Sequence, residues 1–424
     1  MIDIHQIRED YEGVKKNLEK RKDPELIKLV DQARLLDENW RELKKRTDEL
    51  RHERNVVSQV INKLKKDNKD AASAMEKAKK IPKELKEIDE KQKALEAKLR
   101  IIMLRIPNLL ADNVPYGKDS SENVEIKKYG EIKKQGFELK PHGELAESLG
   151  IADFDRSTKL SGAGFYFLKG DLAMLNMALI KFSIDFMVKK GYTYVEPPLM
   201  LSRKAYEGVT DLDDFENVMY KIESEDAYMI ATSEHPLVSQ HMDETIDPKG
   251  LPLKYAGYSI CFRREIGSRG IDTKGLFRTH QFNKIEQVII CKPEDSTKLF
   301  EELDKNAQEL YEQLGLPFRI VNICTGDMGT VAHYKHDLEV WFPRVNKYQE
   351  VGSCSNCTDY QARRLNIRLG GTDKRFVHTL NNTAIATSRC MVAILENYQN
   401  KDGSVTIPEV LVPYMNGKEV IKKN

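Results

Sequence analysis

The sequence predicts an α+β protein: an N-terminal antiparallel two-helix coiled-coil arm, then a domain built on a mostly antiparallel β-sheet flanked by helices. Three observations carry this. Apolar residues recur at alternating steps of three and four from Leu26 to Leu64, and the rhythm returns from Ala78 to Ile106. Charge is concentrated in residues 1–100, which hold 27 of the 68 basic and 22 of the 67 acidic side chains. Beyond residue 170, strand-like and helix-like stretches mix without the regular βαβ alternation of a parallel sheet.

The 424 residues exceed one ordinary domain. A net charge of +1 excludes a wholly basic nucleic-acid coat and an acidic disordered chain, but leaves room for a local basic patch. No window approaches the ~20 consecutive apolar residues of a membrane span. The opening MIDIHQIRED lacks the basic and apolar regions of a secretory signal. Six cysteines are sparse for this length, so a cytoplasmic chain with reduced thiols and no membrane partner is expected.

The first domain is assigned to residues 1–108. Pro24 and Pro107 bracket the two apolar runs, at places where helix boundaries tolerate proline, and Pro82 reads as a first helical turn or a kink near one end. A polar stretch around Lys65–Ala74 separates the runs, so the helices fold back on each other. About 40 residues at ~1.5 Å each give an arm roughly 60 Å long. Its tip, near residues 63–80, carries Lys63, Lys65, Lys66 and Lys69, followed by Lys77, Lys79 and Lys80. The lysines fit two readings: a solvated spacer or dimerisation coil, and a reach for distant phosphate.

Residues 109–170 are rich in turn formers and read as a linker and entry to the next domain, which is assigned to 171–424. There, helices are expected over Asp171–Lys190, Pro293–Leu314 and Thr387–Gln399. Strands are expected over Tyr192–Leu201 (broken by Pro197 and Pro198), Tyr255–Arg263, Asn283–Cys291, Phe318–Ile323 and Asp337–Phe342.

The densest chemistry lies in CFRREIGSRGIDTKGLFRTHQFNKIE, from Cys261 to Glu286. An apolar strand delivers Arg263, Arg264 and Glu265, with Arg263 and Glu265 on one face by alternation. A glycine-containing loop follows, and a second strand brings Phe282 and Glu286. Arginine suits forked contact with phosphate, and Phe282 offers a flat surface to a purine. Cys354-x-x-Cys357 is half of a possible zinc site, but no second pair at similar spacing exists, so no zinc is expected. His280 and His333 stand alone and read as packing or hydrogen-bonding residues.

FRRE…RTHQF resembles the second signature motif of the class II aminoacyl-tRNA synthetases, NNTAIATSR (Asn381–Arg389) the third, and KKGYTYVEPPLML the first. TSEHPL at Thr232–Leu237 and EVGSCSNCTDYQARR at Glu350–Arg364 resemble the seryl type of that class, over essentially the whole chain. The third motif departs in carrying Ala384 and Ser388 where many relatives have glycine. The resemblance implies ATP-dependent activation of L-serine to seryl-adenylate and transfer to the 3′ end of tRNA(Ser), with tRNA(Sec) an open second acceptor. It implies catalytic roles for Arg263, Glu265 and Arg389, and serine contacts from Thr232, Ser233, Glu234, Arg263, Glu286 and Thr383. It implies ATP contacts from Arg263, Arg264, Glu265, Thr279, Phe282, Glu350, Val351, Gly352, Ser353 and Arg389, with Mg²⁺ held by Glu350 and Ser353. It also implies a homodimer through the first motif, and tRNA contacts from Lys63, Lys65, Lys66 and Lys69. Two other readings stay open: an amino acid:carrier-protein ligase of the same class, and a non-catalytic coiled-coil RNA-binding scaffold with a relic synthetase domain.

Overall fold

The computed structural model describes residues 1–212, 216–265 and 275–423. They form two compact units, Met1–Pro107 and Asn108–Asn424. The first contains α1 (Ile4–Glu9), α2 (Tyr11–Glu19), α3 (Pro24–Lys66) and α4 (Ala72–Arg105). Asp23 caps α3 by accepting from the Glu25 amide at 2.9 Å, with Pro24 in the first turn, where its missing N–H is harmless. α3 and α4 pack as the expected antiparallel pair. Leu50, Val57, Ile81 and Ile88 are buried in the seam, flanked by Leu43, Ile61, Ala74, Ala78 and Leu85. All but Ala74 belong to the three-four rhythm. Polar seam positions pair as well: Thr47 Oγ1 approaches Gln92 Oε1 at 3.4 Å.

Two features of this unit differ from expectation. The reversal occupies only the residues between Lys66 and Ala72. Pro82 sits inside α4 rather than in its first turn. The short helices α1 and α2, which the long rhythm does not include, bury Ile7, Val14 and Leu18 while the start of α3 buries Val30 and Ala33. Buried Asp37 receives Arg8 at 2.5 and 2.8 Å and Arg41 at 2.9 Å.

The second unit is organised by an eight-stranded sheet. In chain order its strands are β1 (Val124–Tyr129), β2 (Thr193–Val195), β3 (Leu253–Phe262), β4 (Gln281–Cys291), β5 (Phe318–Asn322), β6 (Tyr334–Phe342), β7 (Lys347–Asn356) and β8 (His378–Ala386). Their spatial order is β1-β5-β6-β7-β8-β4-β3-β2. Every pairing is antiparallel except β2 with β3. Helices α5 (Gly170–Lys189), α6 (Ser296–Gln313) and α7 (Thr387–Asn397) share one large core with the sheet. The α6 carbonyl of Leu303 accepts from the side chains of Gln287 and Asn382, so α6 covers the sheet face to which those residues point. Their strand neighbours Glu286 and Thr383 point to the other face.

Residues 109–170 are not a linker. β1 forms an edge of the sheet, and Leu145, Ala146 and Phe154 enter the core. The stretch Tyr192–Leu201 divides at its prolines: β2 joins the large sheet, while Met200–Ser202 pairs with Ala227–Met229. β7 and β8 lie at the middle of the sheet, where composition had not marked strands.

Candidate active site

Alternation along β4 builds the floor. Phe282, Lys284 and Glu286 project at steps of two into a cleft with about 840 Å³ of empty space, counting its mouth. Two β-bulges complete it. Glu350 and Ser353 are three apart, and so are Thr383 and Ala386, which in a regular strand sends each pair to opposite faces. The register slips at Val351 and at Ala384, one extra residue each, so both members of each pair face the cleft.

The inner end is closed by Thr232 and Glu234. Their segment lies close over β3 at Gly257, where a Cβ would stand 2.6 Å from Leu237 and 3.0 Å from Ser233 Oγ. Glu234 Oε1 accepts the Gln361 amide at 2.8 Å. Burial, reinforced by Glu286, pushes the Glu234 carboxyl up to about 7. Glu286 accepts the Thr383 hydroxyl at 3.2 Å and pairs with Lys284, whose Nζ also donates to Thr232 Oγ1 at 2.7 Å. His235 also lines this end, its Nδ1 without a partner among the described residues; burial, helped by Lys284 and Arg263, lowers it to about 3, so it is neutral.

The outer end carries the arginines. The Arg263 guanidinium lies 5.3 Å from the Phe282 ring centroid and its Nε donates to Ala231 O at 3.3 Å. Arg389, from the first turn of α7, donates to Glu350 O at 2.7 Å and stacks 5.1 Å from Phe277. Burial pushes the Glu350 carboxyl up, but Arg389, Lys335 and Arg263 outweigh it and hold it below its ordinary value. Glu265 lies past the end of β3 at φ 43°, a left-handed conformation that costs a glutamate energy. It lines the cleft through that turn, not through strand alternation.

Of the anticipated site residues, Arg264 and Ser233 do not line the cleft. Arg264 is exposed, and Ser233 is buried with its hydroxyl on Gly257 O at 3.0 Å. Thr279, Val351 and Gly352 do line it. Of the loop read between the two motif strands, residues 266–274 lie outside the described residues. Lys284, His235, Phe277 and Gln361 were not anticipated. The first could have been read from the two-residue period Phe282–Lys284–Glu286, whereas the others depend on tertiary folding. Lys335 and Asp337, also unforeseen, pair at 3.0 Å; burial raises Asp337 to about 7 against the pull of Lys335. Cys354 and Cys357 are buried, the first on Phe300 O at 3.8 Å and the second receiving the Asn381 amide at 3.6 Å. His280 stacks on Phe165 and His333 meets Leu109 O at 2.6 Å. At the arm's tip, Lys63, Lys65, Lys66 and Lys69 are exposed and make no ion pair among the described residues, whereas Lys77 binds Glu53 at 2.8 Å.

The cleft thus sets two arginines over an antiparallel sheet, one after its β3 strand and one from the helix after its β8 strand, the places that the resemblance to the class II aminoacyl-tRNA synthetases gave to its second and third motifs. The model of the class II core domain for the glycyl, histidyl, prolyl, seryl and threonyl types matches residues 219–398, and that of the seryl-tRNA synthetase N-terminal domain matches residues 1–110. The chain belongs to the seryl-tRNA synthetase family. It is 55% identical to the serine–tRNA ligase of Methanocella arvoryzae over 99% of this chain and 100% of that one. The crystal structure of seryl-tRNA synthetase from Pyrococcus horikoshii complexed with ATP is 44% identical, with a TM-score of 0.96 over all of both chains. The cytoplasmic enzyme of Naegleria fowleri in complex with AMP is 33% identical, with a TM-score of 0.91 over 100% of this chain and 99% of that one.

Proposed function

We propose that this chain activates L-serine with ATP to seryl-adenylate and transfers the seryl group to tRNA(Ser). One observation carries the choice of serine: Glu286 and Thr383 present a buried acceptor and a hydroxyl in the same cleft as Glu234, a set of groups suited to a small amino acid bearing an ammonium and a hydroxyl. A pocket whose buried polar groups expect a hydroxyl leaves them unpaired when alanine enters, and that rejection reaches about 10⁴-fold.

The serine carboxylate is already a nucleophile, so catalysis is positioning and charge stabilisation. Glu234 and Thr232 hold the ammonium. Arg263 spans the attacking carboxylate and the α-phosphate, and Arg389 holds the γ-phosphate. Phe282 stacks on adenine, while Glu265, fixed in its left-handed turn, reads the base. Thr279, Val351 and Gly352 add contacts along the nucleotide. Glu350 and Ser353 offer oxygen donors on one face of the bulged strand, a set that fits Mg²⁺, and they would hold it against the phosphates. That ion would supply charge neutralisation of the triphosphate and the leaving pyrophosphate.

The tip lysines Lys63, Lys65, Lys66 and Lys69 contact tRNA phosphates, a role supported by their exposure and by their making no ion pair among the described residues. The chain works as a homodimer: Met174 and Met177 on α5 and Met200 beyond β2, in the first-motif region, are exposed apolar side chains that a second copy would cover. Among the described residues no helix is long and apolar enough to cross a membrane. We place the protein in the cytoplasm, where tRNA is charged. Charging of a tRNA(Ser) transcript with labelled serine tests the whole reading: acid-stable seryl-tRNA is expected, and adenylate formation without it would favour a carrier-protein acceptor.

A further inference from the structure

The inner end of the cleft holds two carboxylates, Glu234 and Glu286, and an amino acid brings only one ammonium. A pocket with two equivalent anionic ends would accept serine in either direction, and the reversed direction carries the substrate carboxylate away from Arg263. The geometry distinguishes the ends. Lys284 is on the same strand as Glu286, two residues before it and on the same face. Its side chain is 6% exposed and that of Glu286 is 2% exposed. The Lys284 ammonium pairs with the Glu286 carboxylate and donates to Thr232 Oγ1 at 2.7 Å, so two of its three protons are directed. Glu234 differs: its Oε1 takes the neutral Gln361 amide at 2.8 Å, and it pairs with no cation among the described residues.

We propose that Lys284 is the specificity-determining residue that orients the amino acid, by neutralising Glu286 from within the protein so that Glu234 is the carboxylate left for a substrate ammonium. The Glu286 end then accepts a neutral hydroxyl and repels a cationic side chain. The inference rests on the serine-activating function proposed above and adds to it the basis for excluding a cation of the same size. Lysine suits the task because its compact ammonium offers one charge to one carboxylate and still reaches the Thr232 hydroxyl. Like charge and unpaired polar groups are the effective means of rejecting a near-isostere.

L-2,3-Diaminopropionate is serine with an ammonium in place of the hydroxyl, and it tests the assignment. Pyrophosphate exchange is measured at pH 6 with serine and with diaminopropionate, using full-length wild type, Lys284→Met, Lys284→Gln and Lys284→Arg. In the Met and Gln variants the kcat/KM preference for serine over diaminopropionate is expected to fall at least about tenfold, through a higher serine KM and improved use of the diamine. The ATP KM is expected to stay unchanged, and Lys284→Arg to keep most of the preference. An unchanged preference in variants that still activate serine overturns the role of Lys284. Equal loss on both substrates together with ATP binding also overturns it, because that is structural damage. Should neither neutral variant fold, wild type decides: its use of diaminopropionate relative to serine must rise with pH as the side-chain amine loses its proton, and a flat ratio overturns the proposal. Absence of serine exchange in wild type itself would instead remove the function on which the proposal stands.

Discussion

In the function proposed above, Glu286, Arg389 and Glu234 each serve a different part of the reaction, and substitution separates them. Glu286→Ala removes the acceptor for the hydroxyl and leaves Lys284 buried without its partner. Serine-dependent pyrophosphate exchange should fall by about 10² or more while ATP affinity changes little. Arg389→Ala removes the cation that meets Glu350 at the phosphate end, and single-turnover adenylate formation should drop by about 10²-fold or more. Wild-type single-turnover rates in a folded variant would contradict that role. Glu234 adds a pH signature. Its folded value of about 7 lies above the ordinary 4.5, so burial of its charged form costs stability that is fully present only below about 4.5 and is lost as pH rises through 7. If Glu234 holds the serine ammonium as proposed, binding needs the charged form, so serine KM should be about tenfold higher at pH 6 than at pH 8, with ATP KM nearly flat. An equal shift in both KM values would move the titration elsewhere. At this scale Phe282 and Glu286 were legible from the strand that follows RTHQF, whereas the two-residue period that also brings in Lys284 went unread. Alternation was invoked to put Glu265 beside Arg263, but the strand ends at Phe262, so Glu265 reaches the cleft through its left-handed turn instead.

Periodicity made the long elements readable, and its absence hid the decisive ones. The α3–α4 seam repeats an apolar residue every three or four positions, so its pairing follows from packing alone. Leu50→Ala in that seam should cost about 2–5 kcal/mol of arm stability, seen as an earlier thermal transition, while serine activation is unchanged. If exchange fell in proportion to stability, the arm would be a structural support of the catalytic unit. Arg8→Ala should also destabilise the arm, by about 1.5–3 kcal/mol, since buried Asp37 keeps only Arg41. β7 and β8 gave no strand signal because Ser, Asn, Thr and Cys occupy positions that a buried strand usually gives to Val and Ile. They are tolerated there because the sheet's cleft face needs polar groups and α6 satisfies several on the other face, as Leu303 O does for Asn382. The bulges at Val351 and Ala384 were equally invisible, since no residue pattern marks a register slip that only pairing reveals.

On the proposed function, the two units of the molecule divide chemistry from recognition. Every cleft residue belongs to the second unit, whereas Lys63, Lys65, Lys66 and Lys69, which form no ion pair among the described residues, belong to the tip of the first. Replacing Lys63, Lys65, Lys66 and Lys69 together by alanine should leave serine exchange intact. It should raise the tRNA KM by about tenfold or more and flatten the salt dependence of tRNA binding by up to about four phosphate equivalents. Unchanged aminoacylation would make the tip dispensable. The class of fold was legible because a long coiled coil and three sequence motifs are each strong signals. The place of residues 109–170 was not, since short elements rich in turns read as a linker until pairing put β1 at the sheet's edge. The central claim is that this cleft activates serine, and pyrophosphate exchange with each of the twenty amino acids in turn tests it most directly. Serine should support exchange, with alanine, threonine and cysteine at least about 10²-fold lower in kcat/KM. Exchange driven best by another amino acid, or by none of the twenty, would contradict it.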